Sequence, residues 1–501
     1  MDQENIKPYL ITDMNQRKAI VIGAGIAGIA SAIRLARKGY KVTVFEKNSY
    51  PGGKMSEFRA GGFRFDTGPS LFTLPELADE LFVLCGRNPR DYFTYSGLEN
   101  SCKYFYADGT VVVAYTDRGR FAAELEEKCG EPAANTIGFL DKCRELYELT
   151  ANVFIFSPFS RLSNLMTDDS KRVARNFRKL NAFNTMHGVI SAHFADARVR
   201  QLFDRYSTYN GSNPYKAPGT MNVIAHLEHN LGAWFPDRGM YSVVEALVRL
   251  AEEMGVEFQF NNYVRLVLAD GKRIAGVTAG EYYYRADVFV SDSDIVPFYN
   301  KLLNMKVPLW YSASDRSSSA LIFYWGIGGT FPALDLHNIF FSRDYPEEFR
   351  CIARGTVSND PTVYVFISSK RVQGDSPEGC ENWFVMINVP ENRGQDWDGI
   401  VSRARSDILA RLLRETGRDI GSLIKVERVL DPRGIEEKTV SYRGSLYGSS
   451  SNSKFSAFRR HPNQRSRFEN LYFTGGSVHP GGGIPLCLAS AGIVAGLVPD
   501  A

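Results

Sequence analysis

Gly23, Gly25 and Gly28 stand as G-A-G-I-A-G between a β-branched run, KAIVIG, and a helix-forming stretch, Ile26 to Lys38. Glu46 closes a second β-branched run, KVTVFE, 18 residues after Gly28. Each position has a physical job in binding a dinucleotide. Gly23 permits the tight turn, Gly25 lets the backbone approach a pyrophosphate at a helix N-terminus, and Gly28 allows close helix packing. Glu46 can accept hydrogen bonds from a ribose diol, and its charge disfavours a 2′-phosphate. A glycine-rich turn beside an incidental acid would not require all of these spacings together. No H-E-x-x-H, G-x-S-x-G or P-loop is present, so metal-assisted or nucleophilic hydrolysis has no motif to rest on. The seven cysteines are scattered, with no C-x-x-C, and read as reduced packing residues with no zinc site.

These residues are positioned by a β-α-β unit over 18 to 46, with Gly39 as the helix stop, which predicts an α/β fold. The chain has 501 residues, 44% apolar and 23% charged, enough for a large core and more than one domain. Lys plus Arg number 59 against 56 Asp plus Glu, a net charge of +3; no whole-protein field attracts nucleic acid. From Pro132 to about Met166 apolar residues recur every three or four positions, and a mostly helical segment is expected to continue to about residue 229. The runs VEFQF, RIAGVTAG and ADVFVSD predict strands between 256 and 294. SALIFYWGI (319–327), TVYVFISSK (362–370) and NWFVMINVP (382–390) predict a second sheet, with helix over Asp398 to Glu415. No linker or repeat divides the chain, so its domains are expected to interleave. Neither long uncharged stretch, Ala19 to Ile33 or Asn470 to Pro499, suits a spanning helix, because the first is short and glycine-interrupted and glycines and prolines interrupt the second. The N-terminus carries neither a signal-peptide core nor a lipidation motif, so a cytoplasmic location is expected.

Three further segments carry a resemblance. PGGK (51–54) follows the ribose-binding strand, and GGFRFDTGPSLF (61–72) comes next. LYFTGGSVHPGGGIPLCLASAGIVAG (471–496) lies near the other end. Together they resemble the bacterial phytoene desaturase family of FAD-dependent carotenoid desaturases, within the amine oxidase group of flavoproteins. Lys54 stands where Arg is commoner, keeping charge but losing the guanidinium fork. Gly476 stands where amine oxidases usually carry Asp. Segments such as RYSTYNGSNPYKAPG (205–219), LDLHNIFFS (334–342) and GCENWFVMINVP (379–390) look close to 1-hydroxycarotenoid 3,4-desaturases, and the resemblance runs from about 17 to 498. Two departures are Arg238, where a P-x-G-G turn is usual, and Asp292, where Asn is usual; either can alter the flavin pocket locally, neither argues against the fold, and the sequence is silent on their effect. The resemblance implies FAD as cofactor, held by Gly23, Gly25, Ala27, Gly28, Glu46, Lys47, Gly52, Gly53, Lys54, Val264, Gly475, Gly476, Gly483, Ile484 and Pro485. It also implies a Rossmann-like FAD-binding domain (1–96, 230–297 and 452–501), an interleaved β-sheet substrate domain (97–131 and 298–451) and a helical, membrane-docking subdomain (132–229).

The implied reaction removes two hydrogens from adjacent carbons of a C40 polyene, one as hydride to the flavin, with quinone or oxygen as electron acceptor. Phytoene desaturation is the alternative; a carotenoid isomerase and a non-catalytic carotenoid binder stand further back. GIGGTF (326–331) lacks the spacing of a second dinucleotide fingerprint, which argues against external nicotinamide. A lipophilic substrate implies peripheral contact with a membrane surface. VFIFSPF (153–159) with Lys171, Arg172, Arg175, Arg178 and Lys179 suits that role, and equally suits a helical subdomain with a solvated face. Arg459, Arg460, Arg465 and Arg467 carry the same two readings. Phe323, Tyr324, Trp325, Phe340, Phe341, Tyr364, Phe366 and Trp383 can line a tunnel, but read first as core. No catalytic residue is assigned. His479 is the tempting acid or base, and Asp66, Asp204 and Arg205 are polar candidates, all reading first as structural. The sequence is silent on oligomeric state.

Overall fold

A computed structural model describes residues 7–8, 16–158, 167–312, 314–454, 456–465 and 467–501. The dinucleotide motif sits on a five-stranded parallel sheet, ordered Glu257–Gln259, Lys41–Phe45, Lys18–Ile22, Val288–Ser291 and Leu471–Phe473. Ile20, Val21, Ile22, Val42, Val44 and Phe45 are all buried. A parallel sheet covered on both faces needs such β-branched runs. The chain therefore reaches this sheet from three separated stretches. Between the first two strands runs the helix Ile26–Arg37, which packs against the last helix, Ile484–Leu497.

The second sheet has seven strands, ordered Ile424–Leu430, Ser319–Ile327, Glu381–Val389, Val363–Phe366, His337–Phe340, Asn100–Phe105 and Val111–Tyr115. All are antiparallel except the pair His337–Phe340 and Asn100–Phe105. Every residue of Ser319–Ile327 is buried, because this strand is covered on both faces. Leu321, Phe323, Trp325, Val365, Trp383 and Val385 pack against the helix Trp397–Thr416. Ala320, Ile322, Tyr324, Phe366 and Phe384 face the dinucleotide half of the molecule. The expected strand over 362–370 ends at Phe366, and a 3-10 turn occupies Ser368–Lys370.

The helical segment begins with Ala133–Phe154 and continues through Asp168–Arg175 and shorter helices to Val223–His229. Phe159, the end of the VFIFSPF run, and Met166 lie outside the described residues. Among the described residues no helix is long and apolar enough to cross a membrane.

Candidate functional site

Gly23 adopts φ +101° at the end of the first strand, and its N–H donates to Phe45 O at 2.8 Å. A Cβ on Gly28 would collide with Gly23 O, so this glycine sets how closely helix and turn approach. The PGGK segment folds back onto the same turn. Gly52 N donates to Ala24 O at 2.7 Å, Gly52 bridges Gly25, and a Cβ on Gly53 would lie 3.3 Å from Gly25 Cα. Glu46 is buried, accepting from Ala24 N at 2.8 Å through Oε2 and from Asn48 N at 2.9 Å through Oε1. Each oxygen retains a lone pair for a ribose hydroxyl.

Gly23, Gly25, Ala27, Glu46 and Lys47 line one cavity; Gly52, Gly53, Lys54 and Val264 join them on its wall, and Gly476, Gly483, Ile484 and Pro485 face it from the C-terminal segment. Gly28 and Gly475 stand one layer behind. Lys54 Nζ donates to Leu446 O at 2.5 Å; burial pulls its pKa down while Asp294, Cys487 and Asp292 oppose that shift. Lys47 Nζ donates to Glu437 O. Gly483, at φ +109°, opens the last helix and turns its N-terminus to the cavity. Two helix N-termini and glycine-cleared backbone thus meet in one cleft, an arrangement suited to a pyrophosphate.

Asp292 is the residue whose importance the sequence understated. It follows the strand Val288–Ser291 and lines the cavity. Its Oδ2 accepts from Gly28 N at 3.0 Å. A Cβ on Gly25 would overlap Oδ2, and one on Gly475 would overlap Oδ1. Burial pushes the carboxyl up to about 8, with Glu46 adding to the shift and the Gly28 N–H and Lys54 opposing it. Arg238 behaves otherwise. Its side chain is exposed, faces Glu245 at 3.6 Å and is not on the cavity wall.

The other candidates separate cleanly. Asp66 is held by Arg64 at 2.8 Å and by Met240 N and Tyr241 N, where it starts the helix Tyr241–Glu253. Asp204 pairs with His187 at 2.7 Å. His479 Nε2 bonds Ser157 O at 2.9 Å; burial holds its pKa down near 4, and the residue is not part of the cavity wall. Arg205 does line the cavity, as does Tyr364, whereas Phe323, Trp325, Phe340 and Trp383 are core.

From the cleft the cavity continues onto the inner face of the seven-stranded sheet. Ile322 pairs with Met386, Met386 with Tyr364, and Tyr364 with Ile339, so these four cavity residues form one row across four strands. Cys102 and Ser101, on the next strand, extend the wall. The cavity joins a polar, glycine-lined phosphate cleft to a long apolar floor, the layout of a flavoprotein that oxidises an elongated apolar molecule.

The comparisons agree with that class. The model of the flavin containing amine oxidoreductase family matches residues 26–296. The chain is 45% identical over 486 residues to the 1-hydroxycarotenoid 3,4-desaturase of Flavobacterium sp. (strain P99-3), covering 97% of this chain and 99% of that protein. It is 31% identical to the phytoene desaturase of Fusarium fujikuroi, covering 96% and 89%. Among solved structures, an oxidoreductase from Methanosarcina mazei superposes with TM-score 0.61 at 13% identity, covering 95% of this chain and 98% of that one, a likeness of fold. The chain belongs to the flavin containing amine oxidoreductase family and, within it, to the carotenoid desaturases. FAD is its cofactor.

Proposed function

We propose that the protein desaturates the C-3,4 bond of a 1-hydroxycarotenoid, using FAD as oxidant in carotenoid biosynthesis. The observation that carries this reading is the continuity of the phosphate cleft with the row Ile322, Met386, Tyr364 and Ile339. When bound, FAD supplies a two-electron acceptor for a hydride. The saturated carbon pair gives up that hydride from one carbon and a proton from its neighbour, and the remaining electron pair becomes the new double bond. A quinone or dioxygen would then take the two electrons together with two protons, giving a quinol or hydrogen peroxide. Glu46 and Val264 hold the adenosine side in this reading, Gly25 and the helix N-terminus at Ile26 the pyrophosphate, and Lys54 and the Gly483 helix end the flavin side. The division into FAD-binding (1–96, 230–297, 452–501), substrate-binding (97–131, 298–451) and helical (132–229) parts belongs to the same proposal. It is supported by the strands that each sheet recruits. The apolar floor orients the polyene by surface burial and excludes water from the reacting carbons.

Peripheral membrane docking is part of this reading, because the substrate resides in lipid. Phe177 and Phe183 are 44% and 71% exposed with ring centroids 5.5 Å apart. Lys454 Nζ lies 5.3 Å from the Phe183 ring, and Lys171, Arg172, Arg175, Arg178 and Lys179 are close in sequence. Exposed aromatics beside cations suit an anionic lipid surface.

The test is turnover by FAD-loaded protein on liposomes carrying either a 1-hydroxycarotenoid or phytoene. A product lighter by two hydrogens with red-shifted absorption, from the hydroxylated substrate, is expected. Conversion of phytoene alone, isomerisation at unchanged mass, or no flavin binding would each overturn the assignment.

A further inference from the structure

Two polar side chains on the cavity wall stand apart from its hydrogen-bonded networks. His337, Tyr364 and Ser70 bond one another, and Tyr209 bonds Glu228. Tyr447 and Asn388 also line the cavity and are half-buried. Neither the Tyr447 hydroxyl nor the Asn388 amide has a hydrogen-bond partner among the described residues, and both groups open onto the cavity.

Glycine fixes the Tyr447 ring from two sides. A Cβ on Gly482 would lie 2.5 Å from its Cδ1, and one on Gly211, at φ +64°, would lie 3.0 Å from its Cδ2. The Tyr447 N–H donates to Ser317 Oγ at 2.9 Å. The hydroxyl is therefore held in place while its own bonds are left open. The same contacts set it against the cofactor cleft. Gly482 immediately precedes Gly483, whose helix end faces the cleft. Leu446 O, one residue before Tyr447, accepts from Lys54 Nζ at 2.5 Å. Tyr447 thus touches both elements that hold the flavin side in the proposed reading.

Asn388 brings the apolar floor to the same place. It pairs with Ala320, two residues along from the Ile322–Met386 pair and on the same face. Two residues before Ala320, Ser318 O accepts from Leu446 N at 3.2 Å. Floor and flavin side therefore meet at Ala320, Asn388, Leu446 and Tyr447, all on the cavity wall. Burial pushes the Tyr447 phenol up to about 12, so it stays protonated at physiological pH and can both donate and accept. A polyene lying on this floor strips water from the two open groups. A hydrocarbon end gives nothing back, and a hydroxylated end restores the lost bond.

We infer that Tyr447 is the specificity-determining residue that receives the hydroxyl of the substrate's 1-hydroxy end, with the Asn388 amide completing the polar end of the floor. This deepens the proposed function and rests on it. Carbons 3 and 4 lie two and three bonds from the hydroxylated carbon. The group that reads the hydroxyl has to stand beside the flavin side, where Gly482 and the Lys54–Leu446 bond place Tyr447. Tyr447 sets which carbon pair faces the flavin, and neither the hydride nor the proton passes through it.

The test compares wild type, Tyr447→Phe and Asn388→Leu on a 1-hydroxycarotenoid and on the same polyene lacking the hydroxyl, each in liposomes with FAD-loaded protein. Tyr447→Phe keeps the ring between its two glycines and removes only the open hydroxyl. Wild type is expected to prefer the hydroxylated substrate. In Tyr447→Phe the ratio of kcat/KM for the two polyenes is expected to fall by about 10-fold or more, through a raised KM for the hydroxylated one. The flavin absorbance bands, FAD affinity and thermal transition are expected to stay as in wild type. Tyr447→Met, which also lacks the hydroxyl, serves if the Phe variant does not fold. An unchanged ratio in Tyr447→Phe, or a ratio lowered in Asn388→Leu alone, would overturn the inference and leave the desaturase reading standing. Shifted flavin bands or weakened FAD binding in Tyr447→Phe would place the hydroxyl on the cofactor and equally overturn it. No activity of wild type on the hydroxylated substrate would instead overturn the desaturase reading.

Discussion

A single carboxyl in the cofactor cleft has consequences that its residue type alone does not announce. Asp292 touches both glycine turns, and its carboxyl, pushed up to about 8 by burial, is neutral at physiological pH. FAD brings a pyrophosphate dianion to the same cleft, and an ionised Asp292 would oppose it at close range. FAD affinity is therefore expected to be flat below about pH 8 and to fall by up to about tenfold per pH unit above it. Asp292→Asn should flatten that dependence, since its amide oxygen still accepts from Gly28 N. Flavin-fluorescence titration across this range checks both, and equal slopes in the two proteins would refute the argument. The sign for folding follows from the same shift. An acid raised from 3.8 to about 8 leaves the folded chain holding a proton that the unfolded chain has released. Cofactor-free stability then declines as pH rises between those values. Asp292→Asn should accordingly raise the cofactor-free Tm near pH 7.

At the scale of elements, glycines separate by what surrounds them. Gly28 in the helix Ile26–Arg37 has no room for a methyl group, which would meet Gly23 O and lie 3.2 Å from Asp292 Oδ2. Gly496, exposed near the end of the helix Ile484–Leu497, has nothing within 4 Å of an added Cβ. Gly28→Ala is expected to cost about 1–3 kcal/mol and to weaken FAD binding. Gly496→Ala should be neutral or stabilising by about 0.5–1 kcal/mol. Denaturant unfolding with flavin absorbance distinguishes the two; equal effects would mean that the helix and turn repack freely. The strand Ser319–Ile327 was legible as a nearly unbroken apolar run, and the helix Trp397–Thr416 because its apolar residues recur at helical spacing. The strand expected to continue past Phe366 was not, because Ile367 is fully buried and apolar although the backbone there turns into the 3-10 segment.

For the whole molecule, the docking face can be tested separately from catalysis. Phe177→Ser with Phe183→Ser removes the exposed aromatics and leaves the cavity wall intact. Co-sedimentation with anionic vesicles is expected to fall several-fold, while FAD binding stays unchanged; undiminished co-sedimentation would remove this face from the reading. The sequence by itself determined the βαβ unit, the glycine and Glu46 placements, and the family. All of these are local spacings, or segments long enough to carry a resemblance. Tertiary structure alone decided that Arg238 stands on the surface while Asp292 sits between two glycine turns, 264 residues after Gly28 and 183 before Gly475. It alone also brought Ser70, Arg205, His337 and Tyr364 to one wall. Those four come from a loop, a 3-10 helix and two neighbouring strands, and only packing decides which of their polar atoms find partners.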